Sequence, residues 1–395
     1  MTLRQKIEGE IRERGPMSFS RYMDLCLYHP EFGYYSRNLE QFGKAGDFYT
    51  SSDVHAVFGR LMARQFEEMW RALGSSEKVE ILELGPGRGL FAQDVLDWSE
   101  KKFPEFFDAL HYSLAESSPA LRQRLQATLS KHFRSGKASL AQRLKPPSYD
   151  GSRCKAEAMP FHGVFSISGE VPIIVFANEF FDALPVEVLS PQGALYIAEK
   201  DGRLFETWDT ASAEALEFLD HYGVHPEAGE RIEAPLIAQH YMSQIAATVK
   251  RGLIIAIDYG YTRQEQLAGR HRGTIATYRQ HSVSANPYEA PGEQDITAHA
   301  NFTALAAAAE QSGMQVQPVV TQSQFLLGVG EHNQFADAFE ECRLPQERAK
   351  VALQLKHLVT PAGMGESFHA LVASKGVDAG RVAGLSGLMF GMTKS

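Results

Sequence analysis

The stretch VEILELGPGRGLFAQDVLDW, residues 79–98, decides how the chain is read. Val79 to Leu82 has the pattern of a short strand. The cluster Glu83-Leu84-Gly85-Pro86-Gly87-Arg88-Gly89 ends it, and Phe91, Val95, Leu96 and Trp98 then recur at helical spacing within 90–102. A strand, a glycine turn and a helix in that order form the unit around which an open α/β sheet builds its ligand crevice.

The same alternation continues outward. His111 to Ala115 reads as a second strand, and Ser118-Pro119 opens a helix with Leu121, Leu125 and Leu129 on one face. Ile173–Ala177 and Leu253–Ile257 are unbroken apolar runs, as required of parallel strands covered by helices on both sides. A helix from about Leu236 to Lys250 precedes the second run. A helix Phe302–Ser312 stopped by Gly313, a strand Val316–Val320 and a final strand Phe368–Ser374 repeat the scheme. The pattern predicts a doubly wound, mostly parallel α/β sheet.

Two segments interrupt it. Val188–Trp208 reads as a β-hairpin with Asp201-Gly202 as its turn, and Tyr259–Ala300, rich in Gly, Pro and His, as a lid or a disordered loop. The expected organisation is an N-terminal helical cap with a cofactor-covering loop at 1–75 and a core made of 76–187, 232–258 and 301–376. The insertions 188–231 and 259–300 then form a substrate-side subdomain, and 377–395 a tail.

Of the 395 residues, 44% are hydrophobic and 22% charged, which excludes a disordered chain and suffices for one large unit or two ordinary ones. A net charge of -9 argues against a protein that holds nucleic acid by neutralising many phosphates. Cys26, Cys154 and Cys342 lie far apart, so neither a disulfide framework nor a cysteine metal site is expected. No segment reaches the roughly 18 apolar residues of a membrane span. The N-terminus mixes Lys, Arg and Glu without an apolar signal core, so the expected location is the cytoplasm.

A pyrophosphate ligand wants backbone amides at the glycine turn. Pro86 deletes one such donor, and Glu83 adds a negative charge. Both details suit a phosphate-free cation such as S-adenosylmethionine, held on a loop of Gly85, Gly87 and Gly89 with its ammonium and sulfonium near Glu83. Glu116, at the end of the second strand, either accepts the ribose hydroxyls or partners the cap of the helix at Pro119. The loop Gly46–Ser52 is either a surface turn or a cover over the ligand. In the second reading Asp47 is another acid near the ammonium, with Thr50 on the same loop.

The run IIVFANEFFDALPVEV, residues 173–188, carries Asn178, Glu179 and Asp182 at the carboxyl end of a core strand, where a methyl acceptor stands. Methyl transfer is an in-line displacement that needs alignment and exclusion of water. For a guanidinium acceptor, paired carboxylates Glu179 and Asp182 would localise its charge on the nitrogens that do not react. Phe180 and Phe181 either wall the cation, a contact worth about 0.5–2 kcal/mol, or belong to the core. Asn178 and Asp182 have a plainer reading as partners for turn backbone. Asp258 and Tyr259 end the Leu253 strand on the same edge and so line the acceptor side. His299 is a candidate base, whereas Asp295, Thr297 and Asn301 read as helix caps. Tyr278-Arg279-Gln280-His281 is a candidate holder of the acceptor or a peptide.

With these residues the chain resembles the MidA family of S-adenosylmethionine-dependent methyltransferases. The resemblance rests on YHPEFGYY (28–35), GDFYTSS (46–52), LELGPGRG (82–89), ANEFFDALPV (177–186), IDYGY (257–261), GTIATYRQH (273–281), PGEQDITAHANF (291–302) and PAGMGESF (361–368). It implies a class I Rossmann-like methyltransferase fold and methylation of a protein arginine in a subunit of respiratory complex I, in whose assembly the mitochondrial members act. The family's cofactor loop falls on Gly85, Gly87 and Gly89, and its post-strand motif on Asn178, Glu179 and Asp182. The chain departs from the family at Thr50-Ser51-Ser52-Asp53, where Thr-Ser-Pro-Glu is common, and at Asn301, where an acid is common. A second reading is an assembly chaperone that binds S-adenosylmethionine without turnover. A third, a nicotinamide-dependent oxidoreductase, is disfavoured by Glu83 and Pro86.

Overall fold

The computed structural model describes residues 2–36, 56–141, 171–279, 282–284 and 286–390; Asp47, Thr50, Gln280 and His281 lie outside the described residues. The central sheet runs in the order Ala138–Leu140, Leu110–Ala115, Val79–Leu84, Ile173–Asn178, Gly252–Tyr261, Phe368–Lys375. The first five are parallel, and Phe368–Lys375 is antiparallel to Gly252–Tyr261, with Ile255 opposite Val372. The strand Val79–Leu84 has its chain successor on one side and Ile173–Asn178 on the other. The winding therefore reverses there, and such a switch point opens a crevice at the carboxyl ends of the two strands.

The strand Ile173–Asn178 explains why helices cover both faces. Side chains alternate across a strand, so Ile174 and Phe176 enter one core with Phe66 and Phe91, while Ile173, Val175 and Ala177 enter the other with Tyr241, Met242 and Ile245. Phe91 stacks on Phe176 with ring centroids 4.6 Å apart. Each such fully buried side chain contributes on the order of 1.5–3 kcal/mol.

The expected strand Val316–Val320 is two shorter ones, Gln315–Val316 and Val320–Thr321, both antiparallel to Phe368–Lys375. Pro318 lies between them and has no amide hydrogen for the ladder, so the pairing lapses around it. Helices Gln322–Glu331 and Pro345–Val359, not anticipated from the sequence, fill the interval before the last strand; Phe325, Leu326 and Val329 of the first are buried in the core.

The expected hairpin is a three-stranded meander, Glu187–Ser190, Gly193–Lys200 and Arg203–Asp209. Its second turn is the one expected: Asp201 and Gly202 have φ of 52° and 73°, the left-handed pair that a tight hairpin turn needs. Met17–Ser18 and Ile232–Ala234 join this sheet. Helices Leu3–Arg14 and Phe19–Tyr28 pack on it through Ile7, Phe19 and Tyr22 against Leu195 and Ile197, whereas helix Ala56–Ala72 joins the core of the central sheet. The segment expected as a lid or loop holds a small antiparallel sheet of Ala276–Arg279, Ser282–Ser284 and Asp295–Thr297. Ile296 anchors it, fully buried among the N-terminal helices. Among the described residues no helix is long and apolar enough to cross a membrane.

Candidate active site

At the crevice the chain turns through Gly85, Gly87 and Gly89 with φ of 63°, 53° and 78°, a region that disfavours any residue with a Cβ. Packing adds to this at Gly89, where a Cβ would lie 2.6 Å from Cδ2 of Leu125. The loop amides are used internally. Gly85 N–H donates to the Ala115 carbonyl at 3.0 Å and Gly89 N–H to the Pro86 carbonyl at 2.9 Å, while the Gly87 amide serves the Glu116 carboxylate. With those donors engaged and Pro86 lacking one, the turn is a poor cradle for a diphosphate.

Two buried acids flank it. Glu116 accepts the Ser118 amide at 2.8 Å, and burial pushes its carboxyl up to about 7 against the opposing pull of the Ser118, Ser117 and Gly87 amides. The cap of the helix Pro119–Thr128 is Ser118, whose Oγ accepts the Leu121 amide at 3.4 Å. Glu116 thus joins that cap to the glycine turn. Glu83 lies 4% exposed beneath the turn and accepts the Tyr112 hydroxyl at 2.9 Å. Burial, reinforced by the charge of Glu116, raises it to about 8. A carboxyl in this state holds its proton near neutral pH until a cation comes beside it. Buried acceptors beside a Cβ-free turn fit an adenosyl ligand with an amino acid tail.

The second half of the site follows the strand Ile173–Asn178. Asn178 Nδ2 donates to Glu179 Oε1 at 3.1 Å, and Glu179 has φ of 48°, an unusual conformation for a residue with a side chain. The Glu179 amide donates to the Ile257 carbonyl at 3.0 Å on the neighbouring strand. The next three amides, of Phe180, Phe181 and Asp182, all donate to Oδ2 of Asp258, at 3.1, 2.9 and 3.3 Å. Asp258 is fully buried in that neighbouring strand, one residue past its pairing with Asn178, so it shapes the turn that presents Glu179 and Asp182.

This turn concentrates unsatisfied acceptors. Oδ1 of Asp182 and Oδ1 of Asp258 are buried without a hydrogen-bond partner among the described residues, as is the Tyr259 hydroxyl. Burial raises Asp182 to about 6. Burial and the charges of Asp182 and Glu179 push Asp258 up as well. Glu179 and Asp182 both act on Asp258 and Tyr259, so the two acids share one neighbourhood. Phe181 is core, at 2% exposure. Phe180 lies against the glycine turn: a Cβ on Gly85 would be 3.1 Å from its ring, which also lies 5.3 Å from that of Phe181 and 5.9 Å from that of Tyr241 between centroids.

His299 stands apart from the carboxylates. Its Nδ1 is 3.1 Å from Nδ1 of His271, its ring is 5.6 Å from that of Tyr259, and burial lowers it to about 4. Asn301 is the expected cap: Oδ1 accepts the Ala304 amide at 3.0 Å, and Nδ2 donates to the Tyr222 carbonyl at 2.9 Å, a donation an acid in its place would lack when ionised. Asp295, expected as a cap, instead accepts the Tyr35 hydroxyl at 2.9 Å. Tyr28 and Tyr35 reach the site from the N-terminal segment, with the Tyr28 hydroxyl donating to the Ala183 carbonyl at 3.0 Å. Nothing in local spacing marks them; the only signal is the unusual string YHPEFGYY.

The chain is similar to known proteins along most of its length. The family described as "Putative S-adenosyl-L-methionine-dependent methyltransferase" matches residues 61–320. The chain is 28% identical over 397 residues to the protein arginine methyltransferase NDUFAF7, mitochondrial, of Homo sapiens, covering 94% of this chain and 83% of that protein. To the NDUFAF7 homolog, mitochondrial, of Drosophila melanogaster it is 27% identical over 389 residues, covering 95% and 85%. The crystal structure of a superfamily member from Burkholderia thailandensis bound to S-adenosyl-homocysteine superposes with a TM-score of 0.79 at 26% identity, covering 98% of this chain and 94% of that one.

Proposed function

The chain belongs to this family of S-adenosyl-L-methionine-dependent methyltransferases, and from that premise we propose that its acceptor is an arginine side chain of a protein. The observation that carries the proposal is the pair of buried carboxyl oxygens, Oδ1 of Asp182 and Oδ1 of Asp258, with no donor among the described residues. A guanidinium is a planar fork of five N–H donors with no acceptor, and therefore the complement of such a site. The names of the relatives, protein arginine methyltransferases, support the same reading. The MidA resemblance extends it to a subunit of respiratory complex I as the protein methylated, and we place that action, for this chain, in the cytoplasm.

The cofactor supplies a methyl group on positively charged sulfur. Gly85, Gly87 and Gly89 would leave room for it, with Glu83 holding its cationic end and Glu116 its ribose. On the acceptor side, Glu179 and Asp182 hold two guanidinium nitrogens by their hydrogens. That draws the positive charge onto those nitrogens and leaves the third richer in electron density. Asn178 steadies Glu179 at Oε1. The proton lost from the methylated group passes to a carboxylate, and Asp182, held at about 6, is suited to take and release it near neutral pH. His299, one aromatic ring away and lowered to about 4, is too weak a base to hold that proton near neutral pH. Phe180, Phe181 and Tyr241 keep water from the space between loop and turn.

Glu179→Gln tests the reading. The variant should bind S-adenosyl-homocysteine as the parent does and lose methylation of the partner's arginine by mass spectrometry. Full methylation would overturn the role of Glu179. Normal maturation of the partner without methylation would favour the assembly chaperone instead.

A further inference from the structure

Beyond the acid turn stands a second wall, built by segments remote in sequence. Asp295 accepts the Tyr35 hydroxyl at 2.9 Å and sits opposite Tyr278 in the ladder between Ala276–Arg279 and Asp295–Thr297. The Tyr35 ring is 5.5 Å from that of Tyr28, whose hydroxyl donates to the carbonyl of Ala183, next to Asp182. The amide of Ala298, just past Asp295, donates to the Asp182 carbonyl at 2.9 Å. These contacts bring Asp182 and Asp295 into one neighbourhood with three tyrosines, each of which feels both carboxylates. Both carboxylates and burial oppose ionisation of Tyr28, Tyr35 and Tyr278, which keeps them neutral and polarisable. Asp182, at 3% exposure, has its Oδ1 buried without a hydrogen-bond partner among the described residues, while the Tyr259 hydroxyl and the Ala183 amide pull on the carboxylate as a whole. An acceptor so placed calls for a ligand that brings the donor.

We propose that Asp295, Tyr35 and Tyr278 form the far wall of the acceptor chamber, closing it around a planar guanidinium between Asp182 and Asp295 and so selecting arginine over lysine. This rests on the arginine reading above. A flat fork of donors spans two carboxylates and stacks on phenol rings, whereas an ammonium is a compact, strongly hydrated charge that satisfies one carboxylate at a time. The wall comes from the N-terminal segment and the second insertion, so the selecting surface is separate from the turn that holds the two nitrogens that do not react.

The test is calorimetric titration of N-ethylguanidinium, and separately of n-butylammonium, into the full chain saturated with S-adenosyl-homocysteine. Asp295→Asn keeps an oxygen for the Tyr35 hydroxyl and the Ile296 amide but loses the charge. It should weaken ethylguanidinium binding about tenfold, as expected for one charged hydrogen bond, with affinity for S-adenosyl-homocysteine unchanged. Tyr278→Phe should weaken it by a smaller factor and decides the matter if Asp295→Asn does not fold. Butylammonium should bind the parent about tenfold more weakly than ethylguanidinium. Parental guanidinium affinity in both folded variants, or equal binding of the two cations by the parent, overturns the wall. No guanidinium binding by the parent overturns the arginine reading itself and the wall with it.

Discussion

Oδ2 of Asp258 lies 2.9 Å from the amide nitrogen of Phe181, and the flanking amides of Phe180 and Asp182 converge on the same oxygen. One side chain in a strand thereby sets the backbone of a turn that follows a different strand. Asp258→Ala leaves three amides without their acceptor. The expected loss is on the order of 2–4 kcal/mol of stability, with methylation abolished. Asp258→Asn retains one carbonyl oxygen and should lose less of both. Thermal unfolding of the two variants checks this; equal stability of Ala and parent would mean the turn holds itself.

Glu83 and Glu116, raised to about 8 and about 7, predict a pH dependence of ligand binding. The ligand's ammonium beside Glu83 and its ribose hydroxyls on Glu116 both favour the ionised carboxylates, so S-adenosyl-homocysteine should bind more tightly as pH rises from 6.5 to 8, releasing protons as it does. Titration in buffers of different ionisation enthalpy measures the protons released. Glu83→Gln should flatten the profile; proton uptake on binding would contradict the assignment.

The same shifts govern the stability of the ligand-free protein. Both folded values exceed the ordinary glutamate value, so between them and that value the folded state holds protons that the unfolded state has released. The contribution is fully present at low pH and is lost as pH rises through about 7 and then about 8. The melting temperature should therefore fall from pH 6.5 to 8.5, and saturating S-adenosyl-homocysteine should reduce the fall. A scanning calorimetry series without that difference would rule out these two groups as its source.

Gly89 combines a left-handed φ with a neighbour 2.6 Å from where a Cβ would stand. Gly89→Ala should cost about 1–3 kcal/mol and weaken cofactor binding more than it lowers the melting temperature, because the strain falls on the turn. Isothermal titration and thermal melts, taken together, separate the two effects.

Asn301→Asp restores the acid common in the family and tests whether that position matters chemically. The cap on the Ala304 amide survives, while the donation to the Tyr222 carbonyl is lost. Stability should fall by about 1 kcal/mol with cofactor affinity unaltered, as calorimetry can show.

What was legible in the sequence was local. The strand, glycine turn and helix at 79–102 lie within one short window, so apolar spacing and Gly85, Gly87 and Gly89 announce both the fold and the crevice. The acids of the Asn178–Asp182 turn were visible because they interrupt an apolar run. The role of Asp258 in building that turn was not, since it depends on strand pairing between residues far apart. The small sheet holding Asp295 has strands too short for alternation to stand out. The break at Pro318 is local too, since it follows from one missing amide hydrogen.

The N-terminal helices pack on a sheet translated much later; the bond from the Tyr22 hydroxyl to the Pro287 carbonyl spans 265 residues. During synthesis these helices emerge first and wait with Ile7, Phe19 and Tyr22 uncovered while most of the chain is made. Contacts of such long range close slowly and leave apolar surface open to wrong partners. The acceptor wall, which takes Tyr35 from this segment, is therefore among the last parts of the molecule to form, and a newly made chain gains a closed acceptor chamber only once its beginning has found the later strands.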